Sequence, residues 1–146
     1  MSEQTARHII AAGAILFLLG LITGFVLPGF ENPRMGLASH LEGVMNGTFL
    51  IAVGAIWPRL ALSLALQSSA FWLLIYGTYA NWFFVSLAAI FGTSKMTPIA
   101  GAGHDGLPWQ ETLVTVGLST VGIAMLAGCV ILIFGLVRKR HDAGND

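Results

Sequence analysis

The stretch Asn32-Pro33-Arg34-Met35-Gly36-Leu37-Ala38-Ser39-His40-Leu41-Glu42-Gly43-Val44-Met45-Asn46-Gly47 decides how the chain is read. It opens with turn chemistry and runs without a break into an apolar segment ending near Trp57, before Pro58. That segment is long enough to cross a bilayer, which takes about 20 residues. His40, Glu42 and Asn46 are therefore carried into membrane depth. An ionisable side chain there costs on the order of 3 kcal/mol, so such groups are rare and usually functional.

The rest of the sequence supports a lipid environment. Of 146 residues, 55% are hydrophobic and only 10% charged, against about 25% charged in a soluble domain. Formal net charge is zero, which leaves no electrostatic footprint for a nucleic-acid partner. Cys129 is the only cysteine and lies in an apolar run, where a buried thiol is the expectation. No repeat, linker or low-complexity tract divides the sequence, so 1–146 reads as one domain. Its apolar runs predict an all-α polytopic membrane protein, a bundle of four transmembrane helices over about 9–28, 37–57, 61–91 and 110–137. The first run exceeds the core of a secretory signal and is expected to be retained. Residues 2–8 read as a polar lead, 30–36 and 92–108 as loops, and 142–146 as a disordered tail. Gly13, Gly20 and Gly24 invite close approach of a neighbouring backbone. Helix three is longer than a perpendicular span needs, which predicts tilt, a kink or an overhang.

Four spans put both termini on one side. Arg7, Arg59, Arg138, Lys139 and Arg140 fall on that side, and Arg34 and Lys95 on the other. The bias places both termini in the cytoplasm. The loops carrying Arg34 and His104 then share the opposite face and are expected to lie beside each other.

On a helical wheel at about 100° per residue, His40, Gly43 and Gly47 cluster on one side of helix two. Ser39, Glu42 and Asn46 form an adjacent stripe. A packed helix or a planar cofactor would fill the room at the glycines. Helix three climbs the other way, so Tyr79, Asn81 and Trp82 reach the level of His40 and Glu42, and Tyr76 the level of Asn46. Thr23, Thr112, Thr115 and Ser119 are further polar candidates. A polar pocket roofed by the two loops follows. Each candidate has a plainer reading: Glu42 as a structural hydrogen bond to helix three or Arg34, His40 as an interfacial cap, Arg34 as a partner of Glu31. Asn46, Asn81 and Gln67 also read as interhelical glue, Tyr76 and Tyr79 as packing, and His104-Asp105 as a solvated turn.

Nucleotide-binding, zinc-protease, CxxC and nucleophile-elbow motifs are absent from the sequence. Glu42 alone supplies too few inward carboxylates for a di-metal site. One inward histidine beside glycines is a weak signal for an axial haem ligand.

The stretch Leu18-Leu19-Gly20-Leu21-Ile22-Thr23-Gly24-Phe25-Val26, with Asn32 to Leu37 and His40 to Gly47, resembles the hydroxylaminobenzene mutases. Tyr76-Gly77-Thr78-Tyr79-Ala80-Asn81-Trp82 and the glycine-rich third loop are similar to that family too. The members are small bacterial membrane proteins that isomerise arylhydroxylamines to aminophenols. The resemblance implies an intramolecular rearrangement that breaks N–O and puts oxygen on the ring, ortho to nitrogen. Such a reaction needs an acid at the leaving oxygen, π-rich or negative groups around the developing cation, and exclusion of water. On this reading Glu42 is the acid and His40 orients it or shuttles the proton. Arg34 and Asn46 hold the departing oxygen, and Tyr76, Tyr79, Asn81 and Trp82 surround the ring. No metal or cofactor is required. A variant uses haem b with His40 as axial ligand. The competing class is a non-catalytic membrane subunit or a carrier for a small apolar molecule. Four helices barely enclose a pocket, and the glycine-rich faces of helices one and two suggest subunit contacts, so a homo-oligomer is expected.

Overall fold

The computed structural model describes residues 2–138. Lys139 to His141 and the expected disordered tail, 142–146, lie outside the described residues. The elements are α1 (Ser2–Val26), α2 (Pro33–Ile56), α3 (Leu64–Phe91), the short α4 (Pro98–Gly101) and α5 (Pro108–Val137), with 3-10 turns at Leu27–Gly29 and Trp57–Arg59 and no strand among the described residues. α1, α2, α3 and α5 are each long and apolar enough to span a membrane. The protein is thus an all-α membrane protein with four spans, as its apolar runs predict.

The four spans form a row rather than a closed ring. α1 lies along α2, α2 against α3, and α3 against α5. α1 touches α3 lightly, and α5 makes no comparable interface with α1 or α2. The turns at 27–32 and 92–107 meet at one end of the row, the loop end. The start of α1, the end of α5 and the 57–63 connection occupy the other.

Local chemistry moves several boundaries from their expected places. α1 starts at Ser2, not at residue 9, because the polar lead carries an apolar stripe: Ala6 and Ile9 are buried. α2 starts at Pro33, four residues early. Asn32 caps it by accepting the Met35 N–H at 3.1 Å, and Pro33 follows at the first helical position, where its fixed φ is pre-set. α3 starts at Leu64, three residues late, because Ala61 donates to the Gly135 carbonyl at 2.9 Å and holds the connection against α5. It ends at Gly92, whose φ of +67° suits a left-handed helix stop.

The expected apposition of the two loops is present. The buried Asn32 amide donates to the carbonyls of Ala100 at 3.1 Å and Gly101 at 3.0 Å. Its backbone N–H reaches the Ala89 carbonyl at 3.0 Å. Glu111, only 3% exposed, accepts from the backbone N–H groups of Ser94 (2.9 Å), Lys95 (3.0 Å) and Gly106 (3.2 Å). Three donors on one carboxylate satisfy it where water cannot.

The glycines of α1 and α2 face each other. A Cβ added at Gly20 would lie 2.6 Å from the Val44 nitrogen, and one at Gly47 would lie 2.7 Å from the Gly13 carbonyl oxygen. The room beside Gly43 and Gly47 is therefore filled by the backbone of α1 at Gly20 and Phe17. These glycines bring two backbones of one chain together, so the sequence argument that used them for subunit contacts or a planar cofactor loses its basis.

Candidate functional site

α2 sorts its polar residues onto two neighbours, as the wheel predicts. Ser39, Glu42 and Asn46 face α3; His40, Gly43 and Gly47 face α1. At the α3 side, Asn81 Nδ2 donates to Glu42 Oε2 at 2.6 Å, and Asn46 Nδ2 donates to the same oxygen at 3.2 Å. Asn46 sits one turn below Glu42 on the same ridge, the i,i+4 spacing that lets side chains meet. Both amides converge on one carboxyl oxygen. Glu42 Oε1 is left to present its own lone pairs or a proton to whatever lies beside it. Within lipid such a pair of donors also offsets part of the cost of the carboxyl. One turn toward the loop end, Ser39 and Ser86 share a hydrogen bond of 2.6 Å, and Ser86 donates to the Trp82 carbonyl at 2.8 Å.

At the α1 side, His40 Nδ1 lies 2.8 Å from the Gly20 carbonyl oxygen. A carbonyl only accepts, so Nδ1 carries the hydrogen, and in the neutral ring Nε2 is the bare nitrogen. His40 is thus set as a base or a ligand at Nε2. The absence of a side chain at Gly24 makes space for the ring: a Cβ there would sit 2.9 Å from His40 Nδ1. His40 and Glu42, two positions apart and so about 200° apart around the helix, leave α2 on opposite flanks. The expected carboxyl–imidazole pair is not formed. The amides of Asn46 and Asn81, not the imidazole, orient Glu42.

Two aromatic residues of α3 cross to α1. Tyr79 donates its hydroxyl to the Ala12 carbonyl at 2.8 Å. Trp82 donates Nε1–H to Thr23 Oγ1 at 3.0 Å, and Thr23 in turn donates to the Leu19 carbonyl at 2.8 Å. Their polar atoms are used, and both side chains pack against the core of the bundle. Tyr76 turns the other way, with its hydroxyl 2.7 Å from Thr120 Oγ1 on α5, so the structure does not bring it to Glu42. Arg34 is exposed at the loop end, eight residues and about 12 Å along the axis from Glu42. It lies on the rim of a groove beside α4 rather than at the carboxyl. Of the remaining candidates, Thr112 and Ser119 bond back to carbonyls of their own helix and Gln67 donates to Leu62. His104 stands beside Glu31 across Gly92. No cluster of three or more His, Cys, Asp or Glu side chains among the described residues is placed to hold a metal ion.

Two anchors escaped the sequence reading, Asn32 and Glu111. Asn32 had a local signal, Asn before Pro at a helix start. Glu111 had a weaker one, an acid in the first turn of a helix behind a glycine-rich loop. Its three backbone donors lie up to 17 positions away, a distance no local pattern spans.

The sequence profile of the family described as styrene oxide isomerase matches residues 5–137. Hydroxylaminobenzene mutase HabB of Ectopseudomonas oleovorans is 48% identical over 143 residues, covering 94% of this chain and 87% of that protein. Hydroxylaminobenzene mutase HabA of the same organism is 49% identical over 132 residues, covering 90% of this chain and 98% of that protein. No solved structure matches. With its four spans matched almost from end to end, the chain belongs to the styrene oxide isomerase family and is a homologue of the hydroxylaminobenzene mutases its second span resembles.

Proposed function

We propose that the protein is an isomerase that converts arylhydroxylamines of the hydroxylaminobenzene type to 2-aminophenols in the membrane. The observation that carries this reading is near-full-length identity of about half to two proteins that bear the mutase name. The geometry of Glu42 supports it. Glu42 donates a proton from Oε1 to the N-hydroxyl oxygen. The N–O bond breaks, its electron pair leaves with oxygen as water, and positive charge spreads from nitrogen to the ortho carbon. The same oxygen, kept near the ring by Asn46, adds to that carbon. Its surplus proton returns to Glu42, and the ring hydrogen moves to nitrogen to restore aromaticity. The sum is an isomerisation: no electrons enter or leave, and Glu42 ends as it began. Asn81 holds Glu42 in place, and the π faces of Tyr79 and Trp82 stabilise the cation. Glu42 is half-buried between helices, and the lipid around them keeps back bulk water, which would otherwise intercept the cation. Arg34, at the rim, acts on substrate before the chemistry.

The second reading is haem b ligated by His40. It is favoured by the bond from Nδ1–H to a backbone carbonyl, the support that metal-bound histidines ordinarily have. His40 Nε2 would hold the iron there, and the iron would supply a Lewis acid for the hydroxylamine oxygen. The absorption spectrum of the purified active protein separates the two readings: a Soret band supports iron, and active protein without one excludes it.

The five-to-two split of Lys and Arg supports an inner-membrane location with both termini cytoplasmic. The open row of helices supports a homo-oligomer. The test of the function is direct. Purified protein in vesicles should convert phenylhydroxylamine to 2-aminophenol with no NAD(P)H added. Binding or flux of phenylhydroxylamine without product would overturn the isomerase reading in favour of a carrier.

A further inference from the structure

A groove of about 540 Å³ runs along the loop end of α2, between Arg34, Leu37, Ala38 and Leu41 on one wall and the Met96–Ala100 segment on the other. Its volume falls within the usual span of small-molecule sites, about 300–1,000 Å³. Its lining is apolar except for Arg34 and Thr97. Leu37, Leu41, Met96 and Ile99 are exposed, Ile99 by 81%, so the groove opens sideways toward the surrounding lipid. The segment that forms the far wall is built to stay: Asn32 bonds the carbonyls of Ala100 and Gly101 and ties it to the start of α2.

The position of this groove on α2 is informative. Arg34, Ala38, Glu42 and Asn46 follow one another at intervals of four, and residues four apart form one ridge of a helix. Glu42 lies one turn further down the ridge that carries Arg34 and Ala38, just beyond the residues that line the groove. The residues that line it are neither basic enough nor polar enough for an anionic ligand. A flat, neutral, apolar ring carrying one small polar group fits both the lining and the route.

We infer that this groove is the vestibule that takes the aromatic ring of an arylhydroxylamine from the bilayer and delivers it to Glu42, with Ile99 as its outer gate. The inference rests on the proposed function and names the access site that reading lacks. Arg34 at the rim meets the hydroxylamine group as it enters, and Ala38 sets the width of the floor.

The experiment pairs kinetics with labelling. Ile99→Trp and Ala38→Phe, in vesicles, should raise KM for phenylhydroxylamine by about tenfold, the lower end for a change of a few carbons in an apolar pocket, and leave kcat within about twofold. Ile99→Trp sits at a highly exposed position, so it keeps the test alive if Ala38→Phe does not fold. Leu126→Phe on α5, 72% exposed and remote from the groove, should change neither constant. Phenyl azide photolysed with the wild-type protein should label residues 34–41 and 96–100, and phenylhydroxylamine should compete that labelling away while leaving labelling of α5 unaffected. Unchanged KM in the groove variants, or competed labelling that maps elsewhere, would overturn the vestibule. Competed labelling in the groove without any aminophenol formed would leave the vestibule standing and reject the isomerase reading instead.

Discussion

The α1–α2 contact and the α3–α5 contact are both helix pairs with glycines in the seam, yet they are built differently. In the first, backbone meets backbone: Gly20 against Gly43 and Val44, Gly13 against Gly47. In the second, side chains fill glycine hollows: Leu74 at Gly128, Met125 at Gly77, Phe84 at Gly117. The first seam brings α1 close enough for the Gly20 carbonyl to take a hydrogen bond from His40. The second carries one polar link, between Tyr76 and Thr120. Where the backbones are close, His40 has a carbonyl to hold it; Glu42, the proposed acid, lies on the opposite flank of α2 and is held by the amides of Asn46 and Asn81.

The largest expected effects test that contrast in the seams. Gly20→Leu or Gly47→Leu should abolish folded protein, judged by size-exclusion profile and thermal unfolding in detergent, because rigid backbone stands within 3 Å of the new Cβ. Gly128→Ala meets side chain rather than backbone, with Leu74 Cδ2 2.8 Å from the new Cβ, and a loss of about 1–3 kcal/mol is expected there. Gly122→Leu, whose Cβ meets nothing within 4 Å, should leave the melting temperature unchanged. Equal sensitivity at Gly20 and Gly128 would break the distinction.

A smaller effect separates positioning from packing on α3. Asn81→Leu removes the 2.6 Å donor to Glu42 and should lower kcat by about tenfold, well below the 10²–10⁴ attributable to an acid itself. It should also displace the pH–rate profile, which a purely structural loss would not do. Asn81→Gln should recover part of the rate if an amide donor is what matters. The smallest effect is expected at the link from α3 to α1: Trp82→Phe loses the bond to Thr23 and about 1 kcal/mol of stability, read as a shift in melting temperature.

Much of this was readable from residues alone. Apolar runs bounded by prolines and glycines locate four spans because lipid demands about 20 apolar residues from each. The division of α2 into a Glu42 stripe and a His40 stripe follows from helical periodicity, which is local. What periodicity does not reveal is which neighbour each stripe meets. The wheel sets the two stripes side by side toward one pocket, whereas α1 and α3 lie on different flanks and draw them apart. The direction of Tyr76 toward α5, and the use of Gly43 and Gly47 by α1, depend on the order of helices in the row. Glu111 binds donors from a loop that folds back on it, and only tertiary structure brings those together.

The central claim is that one carboxyl inside the second span performs the proton transfer. Glu42→Gln keeps the size of the side chain and removes the acid, so circular dichroism and elution should match the wild type. In vesicles with phenylhydroxylamine and no nicotinamide cofactor, wild-type protein should yield 2-aminophenol and Glu42→Gln should turn over at least about 100-fold more slowly. A folded Glu42→Gln variant that forms 2-aminophenol at the wild-type rate would contradict the account.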